Sequence, residues 1–163
     1  MNPAVLSVNA GSSSLKFAVY PVHDGEVGTA GLSGHAEGLE PGGQPLIGIQ
    51  APGRAGTRTA LALRPGETAF ESALRAVIAA VESDAGAQLL AVAHRVVHGG
   101  SRLAASVCVD DEMLSYLESL NPLAPLHQPH NLAGLRAFRR ACPHLPQVAC
   151  FDTAFHATTP EVE

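Results

Sequence analysis

The stretch Val5-Leu-Ser-Val-Asn-Ala-Gly-Ser-Ser-Ser-Leu-Lys16, running on into Phe17-Ala-Val-Tyr20, constrains the fold more than any other. Val5, Leu6 and Val8 read as a buried strand. Leu15, Phe17 and Val19 alternate with Lys16, Ala18 and Tyr20, which predicts a second strand. The polar turn from Asn9 to Ser14 therefore joins two adjacent antiparallel strands, and its small residues leave the backbone open to a ligand. Gly11 permits a left-handed or crowded backbone. Ser12, Ser13 and Ser14 offer hydroxyls, and successive N–H groups can form an anion-binding concavity. Lys16 adds a positive charge on the far side. It is the only lysine in the chain, where every other basic residue is arginine. A compact ammonium beside a serine turn suits a phosphate group. The bland alternative is a Ser/Gly hairpin with a chance lysine. The stretch is not a P-loop, because G-x-x-x-x-G-K-[ST] is absent and a strand, not a helix, follows the turn.

Composition narrows the function classes. With 163 residues, 46% of them apolar, the chain can build one domain with a real core. A net charge of −5 argues against nucleic-acid or anionic-membrane partners. The apolar runs are far too short for a membrane span. The N-terminus enters a strand directly and has no basic n-region, unlike a signal peptide. Cys108, Cys142 and Cys150 are odd in number and widely spaced, which suits reduced thiols in a cytoplasmic protein.

Along the chain, His23-Asp-Gly-Glu26 reads as a turn. Residues 27–65 read as short strands and hairpin loops that extend the sheet, with tips at Gly42-Gly43 and Pro52-Gly53. A helix is predicted over roughly Thr68 to Ser83, with Phe70, Leu74, Val77, Ile78 and Val81 on one face and Gly86 able to end it. Leu89 to Val97 reads as a buried strand halted by Gly99-Gly100. Asp110 or Asp111 can cap a short helix that Asn121-Pro122 stops. Another helix carries Pro129 in its first turn and Leu132, Leu135 and Phe138 along one face. Val148 to Phe151 reads as a final strand that ends in Asp152. Strands first, then α-β-α-α-β, predict an α/β layer fold with a mixed sheet and flanking helices.

Three further places carry candidate chemistry. His94 and His98 stand four apart, a zinc-like spacing on a helix, but the intervening valines favour a strand and no H-E-x-x-H is present. On a strand, Arg95 and Val97 share the face opposite His94, Val96 and His98. Arg95 at the end of a buried strand can hold a carboxylate or phosphate in bidentate fashion, or serve as a structural arginine paired with a carboxylate. His127 lies in a loop before a helix, where a lone histidine is more often a surface residue. Asp152 stands just past a buried strand, where α/β active sites gather, or caps a turn.

Four segments in order resemble the acetate kinase family: Val5 to Lys16, Ala91-Val-Ala-His-Arg-Val-Val-His-Gly-Gly100, Ala124-Pro-Leu-His-Gln-Pro-His-Asn131 and Phe151-Asp-Thr-Ala-Phe-His156. The resemblance covers essentially the whole chain and implies an actin-like, sugar-kinase and Hsp70 (ribonuclease H-like) lobe. The reaction it implies is reversible transfer of a phosphoryl group from ATP to acetate, giving acetyl phosphate and ADP, with Mg²⁺. By resemblance, Arg95 is the substrate-side arginine, Val97 and Leu126 line a small pocket for the substrate methyl, and His127 holds the transferring phosphoryl group. Asp152 is implied as an active-site carboxylate, either general acid/base or magnesium organiser. Asn9 is implied near Mg²⁺, and Lys16, Ser12 and Ser14 near the nucleotide phosphates. Gln128 departs from the asparagine common in the family after this histidine.

The resemblance spans less than half of the family's usual length. It implies an N-terminal lobe only, so residues 1–163 would lack the adenosine pocket, a second active-site arginine and histidine, an acidic Mg²⁺ ligand and most of a homodimer interface. Thr158-Thr-Pro-Glu-Val-Glu163 reads as no natural domain ending. Two other readings stand beside acetate kinase: a non-catalytic truncated fragment, and a propionate or butyrate kinase of the same family. An uncovered cleft face would favour self-association.

Overall fold

The computed structural model describes residues 2–83 and 86–156. The C-terminal Thr-Thr-Pro-Glu-Val-Glu run lies outside the described residues. The chain opens with six strands: β1 (Asn2–Ala10), β2 (Ser14–His23), β3 (Glu26–Val27), β4 (Leu32–Glu37), β5 (Leu46–Gln50) and β6 (Thr57–Ala60). After them come α1 (Ala69–Ser83), β7 (Ala87–Val96), β8 (Val107–Cys108), α2 (Asp111–Ser119), a 3₁₀ turn (Asn121–Leu123), α3 (Gln128–Ala141), β9 (Gln147–Phe151) and α4 (Asp152–His156). The order matches the expected strands followed by α-β-α-α-β, with β8 as an added two-residue edge.

Turn chemistry fixes the antiparallel half. His23 pairs with Glu26. The intervening Asp24 and Gly25 have φ of 52° and 81°, so this is a type I′ hairpin whose twist matches its strands. Gly42 and Gly53 also carry positive φ at the loop tips where turns were expected. Gly11 differs: it is not among the positive-φ residues, and a Cβ there would approach Ser14 Oγ only to 3.4 Å, an ordinary contact. The turn instead closes through Gly11 N–H donating to the Ser14 carbonyl at 2.9 Å.

The strands form one mixed sheet in the order β6-β5-β4-β2-β1-β7-β9-β8, with β3 paired to β2. β1, β7 and β9 run parallel at its centre. Period-two alternation sends Ala4, Leu6, Val8 and Ala10 of β1 to the same face as Val92, His94 and Val96 of β7. Among the described residues, α1, α2 and α3 all pack on that face. Ala73, Leu74, Val77, Ala80 and Val81 of α1 join Leu6, Val8 and Val92 in one core. Leu114 and Leu117 of α2 join Leu132, Leu135, Val96 and Phe151 in a second. Val5, Ser7, Asn9, Ala93 and Arg95 turn to the other face and are half-buried or exposed. Val5 is thus no core residue, although its strand is buried on one side.

Side chains cap the first turns of α1 and α2. Thr68 and Glu71 form a reciprocal capping box before α1: Thr68 N–H donates to Glu71 Oε2 at 2.8 Å, and Glu71 N–H donates to Thr68 Oγ1 at 3.2 Å. Of the two candidate caps for α2, Asp110 does the work, its carboxylate accepting from Met113 N–H at 2.7 Å. His94 and His98 do separate jobs. His94 is 2% exposed, sits edge-on to Phe138 with ring centroids 5.3 Å apart, and shares a 2.6 Å hydrogen bond with Gln147. His98 Nδ1 accepts from Gly100 N–H.

Candidate active site

Parallel strands end together, so the loops after them share one crevice. Here β1 ends in the serine turn, β7 ends at Arg95 and Val97, and β9 ends at Asp152. The loop into α3 brings Leu126 and His127 over the same place. These segments enclose a cleft of about 700 Å³ lined by Asn9, Ser12, Ser14, Arg95, Val97, Leu126, His127 and Asp152, among others. Eight of the nine residues singled out from the sequence thus meet in one hollow. Lys16 does not line it. It lies opposite Asn9 across the β1–β2 ladder and borders a neighbouring groove with His35, Gly48 and Arg58.

Arg95 and Asp152 are partners. Arg95 Nε–H donates to Asp152 Oδ1 at 3.0 Å, and Nη2–H donates to Oδ2 at 2.7 Å. Asp152 thereby raises the pKa of the guanidinium further above its ordinary value. A guanidinium has five N–H donors. This side-on pairing engages one edge and, among the described residues, leaves Nη1 without a hydrogen-bond partner. Both readings of Arg95, structural partner and anion holder, are compatible with one geometry.

His127 occupies the N-cap of α3, and its side chain makes no capping hydrogen bond. The exposed ring stands at the positive end of a 14-residue helix, with no hydrogen-bond partner among the described residues. Leu126 is 77% exposed beside it and, with Val97, gives the cleft an apolar wall. Asp152 is the cleft's one carboxylate among the lining residues, and Arg95 already holds both its oxygens. The Asn9 amide and the serine hydroxyls add oxygen ligands to that carboxylate, beside the imidazoles of His127 and His130. Such a set fits a hard cation like Mg²⁺ that brings phosphate and water ligands of its own, not an all-protein cage.

Sequence reasoning missed two first-turn residues of α3. Gln128 and Asn131 are buried polar side chains, 0% and 5% exposed. Gln128 accepts from His98 N–H at 3.1 Å and donates to the His98 carbonyl at 2.9 Å. Asn131 accepts from Val97 N–H at 3.1 Å and donates to the Ala10 carbonyl at 2.7 Å. The available signal was position: both fall on the same helical stripe as Leu132, Leu135 and Phe138, where a polar residue must find buried partners. His130 is exposed and also lines the cleft.

The chain matches the Acetokinase family over residues 4–163. It is 46% identical over 158 residues to the acetate kinase of Pseudarthrobacter chlorophenolicus, covering 96% of this chain and 37% of that protein. The crystal structure of Porphyromonas gingivalis acetate kinase superposes with a TM-score of 0.80 at 31% identity, covering 98% of this chain and 39% of the other. A propionate kinase from Francisella tularensis superposes with a TM-score of 0.78, also at 31% identity, over 97% and 39%. The chain thus spans well under half the length of these relatives. Its α/β lobe, with a mixed sheet and flanking helices, is of the actin-like type. By the family match and the level of identity together, this chain belongs to the acetokinase family.

Proposed function

We propose that this chain is the N-terminal lobe of an acetate kinase and supplies the acyl-phosphate side of reversible phosphoryl transfer between ATP and acetate. The observation that carries the reading is the convergence of Arg95, His127, Asn9, the serine turn and Asp152 on one cleft with an apolar wall. In the forward direction an acetate oxygen bonds to the γ-phosphorus of ATP while the bond from that phosphorus to the ADP oxygen breaks. Little covalent chemistry is needed from the protein, because the transition state is loose and positioning and charge do most of the catalysis.

The residues divide that task. Arg95, fixed on one edge by Asp152, presents its free N–H groups to the acyl phosphate. His127 and the N-terminus of α3 face the phosphoryl oxygens as charge develops there. Val97 and Leu126 take the methyl group. Asn9, Ser12 and Ser14 meet the phosphates of the nucleotide, and Lys16 approaches them from the adjoining groove. Asp152 acts here chiefly by holding Arg95. Asn9 and Asp152 would hold Mg²⁺, which would supply neutralisation of phosphate charge. An adenosine pocket and most homodimer contacts supplied from outside residues 1–163, and a cytoplasmic setting, belong to the same reading. Among the described residues no helix is long and apolar enough to cross a membrane.

A propionate kinase is a second reading, favoured by the likeness to the Francisella tularensis enzyme and by the open, exposed Leu126 side of the apolar wall. The test is ATP formation from acetyl phosphate, ADP and Mg²⁺, run beside propionyl phosphate. In an intact enzyme that carries this lobe, Arg95→Ala should lower turnover roughly 100-fold or more, as expected for loss of a transition-state charge contact. Near-normal turnover in that variant refutes its assignment. A folded chain that binds acetyl phosphate but makes no ATP favours the non-catalytic fragment.

A further inference from the structure

We infer that Asn131 is a positioning residue that sets the separation between the serine turn and the Arg95–Val97 wall of the cleft. The inference rests on the functional reading above. The parallel β1–β7 ladder runs as far as Val8 paired with His94 and stops. Beyond it the two strands fork, and the cleft opens between them. Asn131 spans that fork with a single carboxamide. Its Nδ2–H donates to the Ala10 carbonyl at 2.7 Å, and its Oδ1 accepts from Val97 N–H at 3.1 Å. The side chain replaces a missing rung of the ladder. Ala10 leads directly into Gly11 and the serines, and Val97 stands two residues past Arg95.

Two further observations show that this bridge is built and not incidental. A Cβ on Gly134, one turn along α3, would stand 2.5 Å from the Ala10 methyl carbon. Glycine at that position lets the helix come close enough for Asn131 to reach Ala10. Gln128, three residues before Asn131, holds both the N–H and the carbonyl of His98. The peptide groups of Val97 and His98 are therefore both gripped by the first turn of α3, the turn that His127 caps. Serine turn, Arg95 wall and His127 take their mutual spacing from one amide-bearing helical turn. A loss of alignment here misplaces groups that bind the same phosphoryl ligand from opposite sides.

The test uses the chain itself, with inorganic phosphate as probe and backbone amide NMR as readout. In the unaltered chain, phosphate should shift the Ser12–Ser14 and Val97 amides with one shared dissociation constant. In Asn131→Ala, Val97 amide exchange should quicken about tenfold or more while Val96 stays protected. Phosphate affinity should fall about fivefold or more as the two walls separate, with the Ser12–Ser14 and Val97 responses no longer sharing one constant. Gly134→Ala, which keeps the carboxamide but lifts the helix from Ala10, should weaken phosphate in the same direction and serves if Asn131→Ala does not fold. A merely structural asparagine would lower the melting temperature and leave phosphate affinity and the shared constant unchanged, and that result overturns the positioning role alone. No phosphate response in the unaltered chain removes the functional reading, and the positioning role with it, even if Val97 exchange still quickens in the variant.

Discussion

Acid should loosen the strand that carries Arg95, through its neighbour His94. Burial pushes the His94 imidazole down from 6.5 to about 4, and only its hydrogen bond to Gln147 opposes that shift. In the unfolded chain the ring takes a proton below about 6.5, whereas the folded state refuses it until about 4. His94 therefore costs no stability above about 6.5, and stability is lost progressively as pH falls towards about 4. At 1.36 kcal/mol per unit, the loss by a pH of about 4.5 is about 2.5 kcal/mol. That is a sizeable share of the roughly 5–15 kcal/mol that holds a domain together.

Urea unfolding at a pH of about 7.5 and again near 4.5 measures this loss. The same pair of titrations on His94→Gln isolates it, because Gln does not titrate. Glu67, which hydrogen bonds to Arg75 and the Arg64 N–H hold down at about 2, loses its contribution as pH falls from 4.5 towards that value, mostly below the window. The unaltered chain should lose about 2.5 kcal/mol more than His94→Gln between the two conditions. A difference under about 1 kcal/mol, or an NMR titration of His94 close to its ordinary value, refutes the reasoning.

Two other outcomes follow from local structure. Asp110→Ala removes the cap that accepts from Met113 N–H and should cost about 1 kcal/mol in urea unfolding, while Asp111→Ala, outside the cap, should cost less. Leu126 in the cleft wall and Leu123, three residues before it, are 77% and 60% exposed, so the chain should self-associate at high concentration by light scattering, and Leu123→Ser with Leu126→Ser should reduce it. A sharp monomeric peak before substitution contradicts that expectation.

Much of the fold was legible because periodicity and turn chemistry are local. Alternation in Leu15, Phe17 and Val19 marked β2, helical spacing marked α1, and Asp-Gly marked the β2–β3 hairpin. β8 was not legible: two residues carry no period, and they pair only because β9 lies beside them. At the site, eight of the nine residues singled out from the motifs line the cleft, whereas Asn131, whose contact depends on distant chain, was not singled out. Asn131 meets Ala10 from 121 positions away, and no local pattern encodes that contact. Gln128, seen in the sequence as a departure from the family, proves to be buried and doubly bonded to His98. Lys16 shows the limit of proximity in sequence. It stands two residues past the serine turn and shares a face with Asn9, yet it lies one strand farther from β7 and borders the neighbouring groove, not the cleft. Asp152 was read as an active-site carboxylate or as a cap, and the structure pairs both its oxygens with Arg95.

The most direct measurement is a titration of acetyl phosphate into the chain, followed by the His127 ring and the Ser12–Ser14 amides. The account predicts a saturable response at those positions, weakened about tenfold or more by Arg95→Ala, as expected for loss of a charge-assisted contact. Silence at the cleft, or a response centred on the Lys16 and His35 groove that Arg95→Ala leaves unchanged, would contradict it.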